Sequence, residues 1–474
     1  MTSLPSVEFY LAELIVGDVP EVTSEEMRKA ARHIVDLVGV AVAGTKRPAF
    51  DTLVKALADQ PGPEHLSARI WESGRRVSLR CAGLINSFAG HIHDFDDDET
   101  GYSIAHVTVT AATAAMVAAD ACPEVSGAEV IEAYLIASET AMRIGELINP
   151  DHYRGGWHAS ATLGVFAACA ATGRILGLTS EQMRHALGMC ASFSSGIRAN
   201  FGSDTKPLQV GKAVHDGILA TELARAGHTS TDGALFGEQG FATMFQQGRD
   251  IPLVIKSFGR PYRLFGSTMV IKAYPCCTAS HTAIYSMLAL RADEDFEGSD
   301  IISITCHIDA VARHLLKYDR PTNAGEAKFS MHYSLAIAAL RGKAGIAEFA
   351  LEGIPCEEIL FLMDRTTVRV VDDLPNLPSG ASVASRLEIE LKDGRHLKKF
   401  QEFVPGSVGE PMSDVDLEKK FIECLHPTPP KHAGELFVKL KDAVSIPSFS
   451  ACISSFVVPS EAPERTEEGT HFTI

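Results

Sequence analysis

No stretch of the sequence reaches the roughly 18 consecutive apolar residues that a membrane-spanning helix needs. The first residues, MTSLPSVEFYLAELIV, lack a basic n-region and a small-residue cleavage site. They also lack the Arg-rich, acid-poor composition of a transit peptide, so a cytoplasmic protein is expected. Basic residues are in deficit: 43 Lys and Arg against 60 Asp and Glu, a formal charge of −17. That argues against a nucleic-acid binder, which normally shows a basic surface, and against an anionic membrane surface as partner. A small acidic substrate is not excluded, because a few lysines and histidines can make one pocket locally positive. Also missing are a GxGxxG opening a βαβ unit, a Walker loop, a GxSxG elbow and an HExxH helix, which argues against bound nucleotide or flavin and against a zincin. The ten cysteines show no disulfide framework. Several, such as Cys169 in FAACAA, sit in apolar helical runs, where buried free thiols are found.

What the chain does have is apolar bulk, 46% of 474 residues, enough for about two or three domains. Three S/T-x-x-E/Q pairs, Thr23 with Glu26, Ser126 with Glu129 and Thr179 with Gln182, each precede an apolar run of helical period and predict capping boxes. The Ala-rich run 107–121 predicts a central buried helix. Residues 1 to about 265 read as almost wholly helical. Strand patterns then appear in DIISITCHI, in TTVRVVDD and at the alternating Leu387, Ile389 and Leu391. Asp393-Gly394 follows as a candidate type I′ turn. Helical patterns interleave with these strands and resume after about residue 405, where Ser413 is a candidate cap. The expected architecture is mainly α. A large all-helical domain would be formed by both chain ends (1–266 and 405–458), with an inserted α+β lid domain (267–404). The polar tail 459–474 is expected to be disordered.

Five segments carry side chains capable of chemistry. In HIHDFDDDE, five of the six residues from Asp94 to Glu99 are acidic, and His106 follows. Such a run is ordinarily a solvated loop, because carboxylates packed together repel unless they are paired. Metal ligation is the alternative, but the glycine and distal glutamate of a calcium loop are absent. In GGWHASAT, His158 falls near a helix start, where the dipole favours a bound anion and disfavours an imidazolium. In SDTKPLQVGK, Lys206 precedes a proline and should be extended beside a helix start, as a carboxylate anchor or a surface lysine. In KAYPCCTASH, the CCxxxH spacing is poor for zinc, and a Cys nucleophile with a His base remains open. The fifth, KFSMHY, is apolar and helix-like and ends in a His-Tyr pair.

Taken together and in order, HIHDFDDDE, GWHASATLG, TKPLQVGKAVHDG, KAYPCCTASH and AKFSMHYSLA resemble the MmgE/PrpD family, over residues 91 to about 337. That family includes 2-methylcitrate dehydratase, cis-aconitate decarboxylase and iminodisuccinate epimerase. The resemblance implies a homodimer with its active site in the cleft between a helical domain and a lid, working with no metal and no organic cofactor. It implies proton transfer at a carbon beside a carboxylate of a small polycarboxylate. By motif position it implies catalytic roles for Asp94, His106, His158, Lys206, Lys272 and Tyr333. Lys206 and Lys272 would clamp carboxylates, with Cys277 and His281 also at the substrate. Decarboxylase-type members look to carry a His five positions after the lid lysine, where this chain has Cys277. The expectation is therefore a dehydratase-type lyase first, an epimerase second and a decarboxylase third. A non-catalytic polycarboxylate-binding homologue is a further alternative.

Overall fold

The computed structural model describes residues 6–18, 20–57, 66–245 and 248–456; the tail expected to be disordered lies outside them. The chain is mainly α, with small sheets. All three capping boxes form: Thr23, Ser126 and Thr179 accept from the backbone of Glu26, Glu129 and Gln182, whose side chains return the bond. Ser413 caps Asp414–Leu425 through the Asp416 N–H. Among the described residues, no helix is long and apolar enough to cross a membrane.

The helical core is assembled from small residues. Thr108–Ala121, the predicted central helix, is buried from Thr108 to Asp120. It packs with Ala159–Ile175, Thr205–Arg225 and Gly127–Ile148. Close approach depends on missing side chains: a Cβ on Gly217 would lie 2.5 Å from the Val165 carbonyl oxygen and 2.7 Å from Ala168 Cβ. Residues from both chain ends share this core, with Leu417, Phe421, Phe437 and Phe449 joining Ile34, Leu37 and Val117.

A second core gathers residues between Cys276 and Leu397, together with Phe201. It lies under a four-stranded sheet in the order Thr366–Val370, Ile301–Ile308, Ser385–Leu391, His396–Gln401. The first pair is parallel and the other two pairings are antiparallel. Leu387, Ile389 and Leu391 face inward, as their alternation predicts. The hairpin turn differs from the expected type I′. Gly394 has φ +87, but Asp393 is not among the residues with positive φ, so only one left-handed residue is present where type I′ needs two. The Gly394 N–H donates to the Leu391 carbonyl, so a turn through Lys392 and Asp393 is followed by a left-handed glycine. That is the longer hairpin loop with a glycine bulge.

Candidate active site

Four helix ends bring the site together. Leu79–His91 ends at His91, Thr108–Ala121 begins two residues after His106, His158 is the N-cap of Ala159–Ile175, and Lys206 lies in the first turn of Thr205–Arg225. Lys206 is therefore helical and not extended. Pro207 follows it within the first turn, where a missing N–H costs nothing. Three N-termini pointing at one place make a setting that favours negative charge.

The acidic run is not a solvated loop. Asp94, Asp96, Asp97 and Glu99 are all buried, and each has partners. Glu99 accepts from the backbone of Gly101, Tyr102 and Ser103 and from the Thr268 hydroxyl. Asp97 pairs with His33. Asp96 accepts from His91 Nδ1 at 2.9 Å and faces His106 Nδ1 at 3.1 Å. Asp94 is the hub. Its Oδ1 lies 3.0 Å from Lys206 Nζ, 3.2 Å from Lys272 Nζ and 3.4 Å from His106 Nε2. Burial would raise the Asp94 carboxyl, but the two lysines hold it well below its usual range. Asp96 is likewise held down against burial by the flanking imidazoles. Asp94 has φ +53 and so does Ile104, another cavity residue; a branched side chain in that region is a true outlier. The Asp94 conformation is secured by Lys272, which also donates to the Asp94 carbonyl at 3.0 Å. Lys420, from the C-terminal helical segment, braces the loop by donating to the carbonyls of Phe95 and Lys272.

Protonation states follow from the hydrogen bonds. Lys206 Nζ has only protons to offer, so His91 Nε2, 2.5 Å away, accepts and His91 Nδ1 carries the hydrogen. Burial pushes His91 down to about 4, and it is neutral. His158 can be assigned in the same way. Gln209 Nε2 donates to the Ile197 carbonyl at 3.1 Å, which turns its Oε1 toward His158 Nδ1 at 2.8 Å. That oxygen can only accept, so Nδ1 carries the proton and Nε2 holds a free lone pair. The Nε2 atom is buried and has no partner. Burial first, and Lys206 second, push His158 well below its ordinary value.

These groups line a cavity of about 90 Å³ between the two cores, large enough for several water-sized groups. Asp94, His106, His158, Lys206, Lys272 and Cys277 all face it. Two of the expected residues do not. The Tyr333 hydroxyl donates to the Glu348 carbonyl at 2.6 Å, and its ring packs on Phe349. His281 Nε2 lies 3.2 Å from the Cys276 carbonyl, and its ring lies against Tyr274. Both belong to the second core or its edge, away from the cavity lining. Cys277 has its thiol pushed up to about 12 by burial and by Asp94, the opposite of an activated nucleophile.

The sequence reading assigns no site role to His91, Asp96, Asp98, Arg154, Ser160 or Gln209. Gln209 was detectable: it stands three residues after Lys206 on one helix, hence on the same face. Among the described residues, the one group spaced to hold a metal ion is His91, Asp94, Asp96 and His106, whose ligand atoms lie within 4.8 Å of one another. The His91 Nε2 and Asp94 Oδ1 of that set already receive ammonium protons from Lys206 and Lys272, so an added cation would meet two fixed positive charges.

Two neutral imidazoles, His91 and His158, ionised carboxylates and two lysines are buried together beside three helix N-termini, a set equipped to exchange protons with an anionic molecule. The MmgE/PrpD N-terminal domain model matches residues 9–254, and the MmgE/PrpD C-terminal domain model matches residues 274–444. The chain belongs to the MmgE/PrpD family. It is 26% identical over 434 residues to a cis-aconitate decarboxylase of Aspergillus terreus, covering 87% of each chain. It is 25% identical over 430 residues to the human cis-aconitate decarboxylase, covering 88% of this chain and 87% of the relative.

Proposed function

We propose that this chain is a lyase that works without a cofactor and removes water from a small hydroxy-polycarboxylate, beginning with proton abstraction from a carbon beside a carboxylate. The observation that carries this reading is the free, buried Nε2 of His158, locked unprotonated by Gln209 and facing a cavity at three helix N-termini. His158 takes the proton. The electron pair of the broken C–H bond forms the new C=C bond as the C–O bond breaks. His106, set among Asp94, Asp96 and Asp98, gives a proton to the departing hydroxyl, which leaves as water. Charge developing on the carboxylate is met by the one N–H of Lys206 not used on His91 or Asp94, and by the helix dipoles. Lys272 spends all three of its donors on Asp94 and Cys276, so we assign it to holding Asp94 in place and not to clamping substrate. Cys277 forms part of the wall.

A second reading, decarboxylation, is favoured by the names of the relatives. It needs a proton delivered to carbon more than one removed, and the resting His158 is a base. Proton NMR separates the two. Purified protein is incubated with 2-methylcitrate, citrate and cis-aconitate. A new vinylic signal at unchanged carbon count supports dehydration. Release of carbon dioxide from cis-aconitate, with a new terminal methylene and no turnover of either hydroxy acid, sinks it.

A further inference from the structure

A polycarboxylate brings two or three negative charges into the cavity, which must offer cations not already committed. The lining holds three side chains of fixed positive charge: Lys206, Lys272 and Arg154. Lys272 has no donor left, and Lys206 has one. Both stand against Asp94, and Asp98 lines the same floor, so that end of the cavity carries little spare positive charge.

Arg154 differs. It is the last residue of Asp151–Arg154, exposed at the rim, whereas His158 is buried at the floor. Its guanidinium has no hydrogen bond, ion pair or ring contact among the described residues. Its Nη2 would lie 3.3 Å from a Cβ built on Gly380, so it rests against a loop of the second core. Leu377, Ser379, Ala381 and Ser382 of that loop line the cavity. Gly380 has φ +74 and no side chain, which leaves space beside the guanidinium. Ser382 Oγ accepts from the Ala384 N–H at 3.2 Å, so its own hydrogen is left to donate. A planar guanidinium with five unused donors, lining the same cavity as a hydroxyl left free to donate, suits a carboxylate.

We propose that Arg154, with the Ser382 hydroxyl, forms a rim subsite for a second carboxylate of the substrate, the one remote from the carbon that reacts at His158. This assignment rests on the polycarboxylate reading above. It makes Arg154 the residue that selects polyacids over monoacids, with the reacting end held at the floor and the remote end at the rim.

The test is calorimetric binding of propane-1,2,3-tricarboxylate, which has no leaving group, to the full-length wild type and to Arg154→Gln, Arg154→Lys and the surface control Arg249→Gln. Loss of a charge-assisted pair is expected to weaken binding at least about tenfold in Arg154→Gln, with partial recovery in Arg154→Lys. The control should stay within about twofold of wild type, as for a screened surface charge. Arg154→Gln binding no more weakly than Arg249→Gln overturns the subsite and leaves the polycarboxylate reading intact. A wild type that binds no triacid overturns that reading and the subsite with it.

Discussion

Nδ1 of His158 stands 2.8 Å from Oε1 of Gln209, and the Ile197 carbonyl fixes which way that amide faces. One consequence is spectroscopic: long-range ¹⁵N–¹H correlations at neutral pH should find His158 neutral, with its proton on Nδ1. A proton on Nε2 would sink the assignment of His158 as base. Gln209→Leu frees the ring to take either tautomer and should lower kcat at least about tenfold. Gln209→Glu puts a carboxylate beside the ring, which favours the imidazolium, so the acid limb of kcat/KM should move up toward neutrality. A merely structural role for Gln209 would leave that limb where it was.

Much of this architecture is legible in the chain. Capping boxes are local, and all three form because each needs only its own four residues. The Ala-rich run 107–121 is buried because small side chains let its neighbours close in. What local pattern misses is pairing across distance. Asp94 and Glu99 look solvated in isolation, but Asp94 pairs with Lys206 and Lys272, and Glu99 accepts from Thr268, all more than a hundred residues away. Tyr333 sits in a motif that matches the family, yet its hydroxyl is used within the second core. Motif position identifies a neighbourhood, while side-chain direction needs the fold.

Asp94 is the shared counter-ion of two buried ammonium groups, in a left-handed conformation. Asp94→Ala should therefore lower the unfolding free energy by about 3–5 kcal/mol, because Lys206 and Lys272 lose their charge partner inside the protein. Asp94→Gly loses the same carboxylate but relieves the backbone, so it should be the more stable of the two by about 1 kcal/mol. Urea denaturation of both variants beside wild type measures this. Equal midpoints would remove backbone strain from the account.

Two thiols, Cys277 and Cys356, give a contrast in labelling. Cys277 faces the cavity, but its thiol is pushed up to about 12, whereas Cys356 is exposed. Thiolate is the nucleophile, so brief iodoacetamide treatment at pH 7.5 should alkylate Cys356 and leave Cys277 unmodified. Peptide mass spectrometry reads both. Preferential labelling of Cys277 would restore a nucleophilic role to it.

Stability should fall steeply as pH drops from about 6.5 to 4. His91, His152 and His281 are pushed by burial from 6.5 to about 4, about 3 and about 3. The unfolded chain takes up a proton at each as pH falls through 6.5, while the folded chain does not until much lower pH. The unfolded state therefore binds more protons across that window, and unfolding free energy declines with falling pH. Above 6.5 neither state is protonated at these positions, and their contribution is flat. The full shift is worth about 3 kcal/mol for His91 and about 5 kcal/mol for each of His152 and His281. Asp36 acts the other way: burial raises it from 3.8 to about 6, so the folded state takes up its proton first and offsets about one imidazole. The net expectation is a loss of several kcal/mol by pH 4. Chemical denaturation at pH 7, 6, 5 and 4.5 checks it, and a flat profile over that range would mean that these rings are hydrated and not buried neutral.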